Sequence, residues 1–255
     1  MVALTLGDVV GQPGCDYLRK RLPELRKQYA ADVVIANGEN SAEGNGILPA
    51  SAQHLFDSGV DVITTGNHGL RRRQIYGLLD KHQGVIRPAN YHKTAPGMGY
   101  YIFDACRFRL CVVNLQGVVY MQSLQNPFDC IDELLQEIDT PNVIVDFHAE
   151  ATAEKLCLGY YLDGRVSAVV GTHTHVPTSD ARVLPGGTGY VTDLGMCGGQ
   201  HSVLGVRAAD AIEKMRTALP TRFSTDPDDV RLSGCAITID EATGRCTAVE
   251  SIVMV

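Results

Sequence analysis

The chain has 255 residues, with 22 basic and 29 acidic side chains and a formal charge of −7. A composition of 45% hydrophobic and 20% charged residues is that of a folded globular chain, and it excludes disorder, collagen-like repeats and coiled coils. The acidic balance excludes a broad basic nucleic-acid surface, which works by displacing counterions with Lys and Arg, but leaves room for one phosphate held locally.

Val2 to Leu6 reads as a buried strand, and Asp16 to Tyr29 as an amphipathic helix that Pro23 ends or kinks. Asp32 to Ala36 is a second buried strand. Pro49 to Asp57 is a helix with Pro in its first turn and Ser58-Gly59 at its stop. Val60 to Thr64 is a third strand and Arg71 to Lys81 a helix. Tyr100 to Asp104 and Phe108 to Asn114 read as β. Pro127 to Ile138 is a helix, Val143 to Phe147 a strand, Ala151 to Leu162 a helix and Val166 to Val170 a strand. Gly205 to Ala218 is a helix. Cys235 to Ile239 and Thr247 to Met254 flank Asp-Glu-Ala-Thr-Gly as a hairpin. The alternation predicts an α/β fold built from βαβ units, with antiparallel hairpins later. No linker or repeat divides the chain, so residues 1 to 255 are expected to form a single domain.

No basic leader precedes an apolar run at the amino terminus, so no signal peptide is expected. No stretch approaches the roughly 18 apolar residues of a membrane span. The eight cysteines (15, 106, 111, 130, 157, 197, 235 and 246) are scattered with no CxxC pair, which reads as reduced small hydrophobes in a cytoplasmic protein. Cys197, in a glycine-rich stretch, reads as a loop filler rather than a nucleophile.

The chemistry gathers where the strands stop. Gly7-Asp8, Asn37-Gly38-Glu39-Asn40, Gly66-Asn67-His68, His148-Ala149-Glu150 and Gly171-Thr172-His173-Thr174-His175 each follow an apolar strand. In open α/β sheets the carboxyl ends of the strands form the ligand crevice. Gly-Asp, Gly-Glu-Asn and His148 alone each read as an ordinary turn or a satisfied polar residue, Gly-Asn-His says more and Thr172 to His175 more still; five together point to a shared metal site. His173 and His175, at i and i+2, would share one face of an extended segment. Carboxylate, carboxamide and imidazole donors with no thiolate disfavour closed structural zinc and suit Mn, Fe, Zn or Co in an open site. Asp8, Glu39, Asn40, Asn67, His148, His173 and His175 are too many ligands for one ion, so two metal ions are expected, with a carboxylate between them. Arg71 to Arg73 read equally as a phosphate contact and as a solvated helix face. Glu150 and Thr152 are candidates to orient the ligands near them.

These motifs resemble the calcineurin-like metallophosphoesterases and, within them, the YmdB-like branch. The resemblance rests on Gly7 to Gly14 (GDVVGQPG), Ala36 to Ser41 (ANGENS), Asp61 to His68 (DVITTGNH), Arg87 to Tyr91 (RPANY), Asp146 to Thr152 (DFHAEAT) and Gly187 to Met196 (GTGYVTDLGM). Glu39-Asn40, where most of the superfamily carries Asp, marks the branch. The resemblance implies a four-layer α/β/β/α sandwich and two metals, Fe or Mn foremost, with Zn, Co or Mg as the other candidates. It implies hydrolysis of 2′,3′-cyclic and also 3′,5′-cyclic nucleotides. Carried over, Asp8, Glu39, Asn40 and His175 would hold one metal, and Glu39, Asn67, His148 and His173 the other. Attack would come from a metal-activated hydroxide, with His68 as the proton donor. The branch commonly has Trp-Asp just after Gly-Asn-His; this chain has Gly69-Leu70-Arg71, so that carboxylate is missing beside His68. The expected partner is a small cyclic nucleotide, with no membrane and a homo-oligomeric assembly. The competing functions are a phosphomonoesterase or nucleotidase using the same metals, and a regulator that senses a nucleotide or RNA without turning it over.

Overall fold

The computed structural model describes all residues, 1–255. In chain order the elements are β1 (Val2–Leu6), β2 (Asp8–Val9), α1 (Gly11–Gln28), β3 (Val33–Asn37), α2 (Pro49–Asp57), β4 (Val62–Thr64), a 3-10 turn (Arg73–Ile75) and α3 (Tyr76–Leu79). There follow β5 (Tyr100–Asp104), β6 (Arg109–Gln116), α4 (Pro127–Glu137), β7 (Val143–His148), α5 (Thr152–Tyr161), β8 (Ala168–Thr172), β9 (Arg182–Val183), β10 (Gly189–Val191), β11 (Met196–Gly199), α6 (Ala208–Thr217), β12 (Val230–Ile239) and β13 (Cys246–Met254).

They build two sheets. The first runs β2-β11-β12-β1-β3-β4 with β13 paired to β12, and the second runs β5-β6-β7-β8-β10-β9. β1, β3 and β4 are parallel, as are β6, β7, β8 and β10, while β12 enters antiparallel to β1. Alternate residues on each strand serve different layers. Leu4, Leu6, Val34 and Ala36 pack with Leu18, Leu22 and Leu25 of α1 and Leu55 of α2. Ala3, Val33, Ile35 and Val62 face Leu110, Val112, Ile144 and Val170 of the second sheet. Val113, Val145 and Phe147 pack with Ile131 of α4 and Leu158 of α5. Strands buried on both faces read as unbroken apolar runs, and the result is the expected four-layer α/β/β/α sandwich.

Three expectations need correction. α1 starts five residues early and runs through Pro23, whose ring is exposed on the solvent side of the helix. The early start passes through Gly14, where any Cβ would overlap the Cys197 carbonyl, so helix and β11 meet there backbone to backbone. The predicted helix over Arg71–Lys81 is only a 3-10 turn and the four-residue α3. Arg71 and Arg72 instead reach back to Asn45, with Nη1 on its Oδ1 at 2.9 Å and Nε on its backbone O at 3.1 Å. Short β2, β9, β10 and β11 are additions, and Cys197 lies buried within β11 rather than in a loop. The hairpin of β12 and β13 forms as predicted, with β12 starting at Val230. No helix is long and apolar enough to cross a membrane.

Candidate metal centre

The carboxyl ends of β1, β3 and β4 meet those of β7 and β8 across the two sheets, and all eight predicted site residues converge there. Glu39 is the hub. Its Oε1 lies 3.1 Å from His148 Nε2 and 3.5 Å from His68 Nδ1, and its Oε2 accepts the His68 backbone N–H at 2.8 Å. On one side, His148 Nε2 also lies 3.0 Å from Asn67 Oδ1 and 3.1 Å from His173 Nδ1. One imidazole nitrogen cannot satisfy three such neighbours with one hydrogen. Crowding of donor atoms of this kind fits a cation, and Glu39, His148 and His173 have ligand atoms within 4.8 Å of one another. On the other side, His175 Nε2 lies 3.6 Å from Asp8 Oδ1 and 3.3 Å from Asn40 Nδ2. Asp8 Oδ1 is buried with no hydrogen-bond partner, an orphaned carboxylate oxygen at the centre of the cluster. Such an atom is costly unless a charge meets it. The donor set therefore fits divalent cations on both sides of Glu39.

His173 and His175 are not on an extended face, as their spacing predicts. β8 ends at Thr172, and both histidines lie in the left-handed region, with φ of 99° and 64°. The bent backbone turns the two imidazoles apart, one toward His148 and one toward Asp8. Gly66 is required for a related reason: a Cβ there would fall inside the His148 ring.

Supporting groups fix the imidazoles. His148 Nδ1 lies 2.9 Å from Thr172 Oγ1, and that hydroxyl donates to Asp146 Oδ1 at 2.7 Å. The hydroxyl hydrogen is used, so the ring presents N–H at Nδ1 and keeps the Nε2 lone pair for the centre. Thr64 Oγ1 donates to the other Asp146 oxygen. Burial pushes the Asp146 carboxyl up to about 6, against these two hydrogen bonds. His175 Nδ1 donates to the Leu204 carbonyl at 3.0 Å, which likewise frees Nε2. Glu150 Oε2 lies 3.2 Å from His173 Nε2. Beneath the His173–His175 loop is a buried ion pair: Lys155 Nζ is 2.7 Å from Asp193 Oδ2 and donates to Thr172 O at 2.8 Å, while Asp193 Oδ2 accepts from Thr174 N at 3.1 Å.

Electrostatics follow from burial. For Asp8 burial opposes charge, but the adjacent His175 and then His148 hold its carboxyl well below the usual range. Burial also disfavours charge on His148, yet Glu39 draws its pKa up to about 9, so a proton and a cation compete for one lone pair. Burial and the nearby His148 lower His173 to about 4. Burial lowers His68 as well, against the pull of Glu39.

His68 has the support that the missing Trp-Asp would withhold. Its Nδ1 is 2.7 Å from Asn40 Oδ1, so a carboxamide from the neighbouring strand end orients it. It faces a cavity of about 730 Å³ that Arg71, Arg72, Glu150, His173 and His175 also line. Of the supporting residues, Asp146 carries a sequence signal, a carboxylate inside the apolar run of β7. Asp193 lies in the Gly187 to Met196 segment that carries the resemblance, without a role of its own there, while Lys155 and the Leu204 carbonyl carry no signal, since each matters only through distant partners.

Two sandwiched sheets with a polar centre at the facing strand ends are the architecture of the metallophosphoesterase-type phosphatases. A crystal structure from Staphylococcus aureus, described by its resemblance to 5′-nucleotidases, shares this fold, with a TM-score of 0.60 and 14% identity over 98% of this chain and 53% of that one. The chain belongs to the YmdB-like protein family, whose model matches residues 4–252. It is 43% identical over 256 aligned residues to a 2′,3′-cyclic-nucleotide 2′-phosphodiesterase of Bacillus subtilis, covering 100% of this chain and 97% of that protein. A crystal structure described as a phosphatase, from Mycoplasma pneumoniae, superposes with a TM-score of 0.94 at 32% identity, covering 100% of this chain and 93% of that one.

Proposed function

We propose that this chain is a metal-dependent phosphodiesterase that opens 2′,3′-cyclic nucleotides, with 3′,5′-cyclic nucleotides as a second substrate form. The observation that carries the reading is the orphaned Asp8 Oδ1 inside a ring of imidazole, carboxamide and carboxylate donors. The name of the Bacillus subtilis relative supports the substrate class. Asp8, Glu39, His175 and Asn40, through the second lone pair of the Oδ1 it turns to His68, would hold one cation and Glu39, Asn67, His148 and His173 a second, with Fe or Mn foremost and Zn, Co or Mg as alternatives. Bound there, divalent cations supply charge neutralisation at the phosphoryl oxygens and acidify a water.

The chain's own residues do the rest. Thr172 and Leu204 hold His148 and His175 with Nε2 toward the centre. Asn40 takes the Nδ1 hydrogen of His68, which leaves Nε2 for the reacting group. A ribose alkoxide leaves poorly, and His68 in its protonated form, with hydrogens on both ring nitrogens, delivering the Nε2 proton to the departing oxygen contributes on the order of 10²–10⁴-fold. His68→Ala is therefore expected to lose turnover on 2′,3′-cyclic AMP by that factor while keeping metal content. Unchanged turnover removes His68 from the reaction.

The deciding experiment is metal analysis with a substrate panel of 2′,3′-cyclic AMP, 3′,5′-cyclic AMP, AMP and p-nitrophenyl phosphate. Preference for the 2′,3′-cyclic diester and two metals per chain are expected; preference for the monoesters refutes the reading. A phosphomonoesterase is the second reading, favoured by the phosphatase description of the Mycoplasma pneumoniae structure. The proposal also takes the chain as one domain, supported by the pairing of N-terminal β1 with C-terminal β12. It takes it as a cytoplasmic homo-oligomer, supported by eight free thiols and by the exposed Ile212 and Met215 of α6 and Leu219 just after it.

A further inference from the structure

Most of the residues lining the cavity over the candidate centre are polar. Its hydrophobic lining is Leu204, Val206 and Phe223, and Phe223 is the one Phe, Tyr or Trp among them. Phe223 is 50% exposed although the residues after it are fixed. Ser224 N donates to Asp210 Oδ2 at 2.9 Å, Arg207 N to Ser224 O at 2.9 Å and Asp226 N to Gly205 O at 3.0 Å. Thr225 bridges to Val206 and sets its methyl against Gly11 and Gly44, where Cβ atoms would lie 2.6 and 3.1 Å from it. The phenyl ring is thus a half-exposed apolar surface on an anchored strap, sharing a cavity with the cluster around Glu39. Beyond the strap a second cavity of about 770 Å³ continues, and Phe223 lines it too. Both volumes are in the range of sites for nucleotide-sized ligands.

A cyclic nucleotide has one anionic end and one flat aromatic end. The polar cluster suits the first, and Phe223 is the one aromatic hydrocarbon ring in the cavity to suit the second. We propose that Phe223 is the nucleobase platform: the base stacks on its ring while the cyclic phosphate reaches the centre at Glu39. This rests on the diesterase reading above. Because stacking uses the π-face that every base has, the platform selects nucleotides over simple phosphate esters without selecting among bases.

The test compares 2′,3′-cyclic AMP with methyl riboside 2′,3′-cyclic phosphate, which has the same reacting group and no base. Phe223→Ala is expected to lower kcat/KM on the nucleotide roughly 5–150-fold, mainly through KM, from the usual worth of one base–aromatic stack. The abasic compound should change less than about twofold, and Phe223→Trp should restore the nucleotide value. Equal losses on both compounds, or no loss on the nucleotide, overturn the platform. A wild-type protein active only on monoesters overturns the diesterase reading alone. Phe223 is then judged by the same contrast between AMP and ribose 5-phosphate, with loss confined to AMP supporting it and any other pattern overturning it.

Discussion

Replacing Lys155 by Met tests how the histidine loop is held. The Lys155 side chain is 2% exposed and that of Asp193 1%, and their contact is 2.7 Å. Met keeps most of the aliphatic stem, so the loss is electrostatic rather than a cavity. It strands a buried carboxylate that keeps only the backbone donors Thr174 N at 3.1 Å and Gly195 N at 2.8 Å, and it strips Thr172 O of its ammonium donor. Breaking one partner of a buried pair costs about 3–5 kcal/mol. At about 2–4 °C per kcal/mol for a chain of this size, Tm falls by roughly 6–20 °C. Urea and thermal unfolding in chelator measure this cost with metal binding taken out of the balance. Lys155→Met/Asp193→Asn, which leaves no stranded charge, should recover at least half of the loss. If Lys155→Met unfolds within about 0.5 kcal/mol of wild type, the pair is not what supports the loop.

Gly66→Ala drives a methyl into the His148 ring, which has no room to retreat; metal affinity should fall about 10–100-fold, as for disturbed ligand orientation elsewhere, read by titration with Mn(II). Metal loading should release a proton, because the cation takes the lone pair that His148 protonates with a pKa near 9. Below that pH the deprotonated fraction rises with pH, so apparent affinity should tighten from pH 6 to 8; a flat profile in indicator-monitored titration counts against His148 as a ligand. Thiol titration of the native protein should find only Cys106 and Cys157, the two exposed cysteines. The other six are buried, with burial pushing Cys15, Cys111 and Cys235 to about 12 and Cys130 and Cys246 to about 11 and raising Cys197 as well, so they should react only on unfolding.

The strand ends are legible in the sequence because an apolar run that stops at Asp8, Asn37, Gly66 or His148 announces a strand and its polar terminus in a few adjacent residues. The layering is legible for the same reason, since Ala3 against Leu4 or Val33 against Val34 are both apolar and both must be covered. What escapes is decided elsewhere in the chain. Pro23 leaves α1 intact because its face is solvent, and periodicity cannot say which face that will be. The bend at His173 and His175 is imposed by Asp8 Oδ2, which takes His173 N at 3.1 Å, and by Asp193 below. Asn40 as the orienter of His68 is hidden for another reason: its residue type suits a ligand equally well.

The pairing of β12 with both β1 and β11 has a consequence for how the protein is made. Asp8 lies in β2, whose ladder partner is β11, and β11 is joined to β1 through β12. The first ligand synthesised is therefore locked in place only after residues near the opposite end have left the ribosome. Pairings of such long sequence separation form late and slowly. A nascent chain halted before Val230 would carry every donor residue of the centre in its sequence and still lack the sheet that aims Asp8 at them.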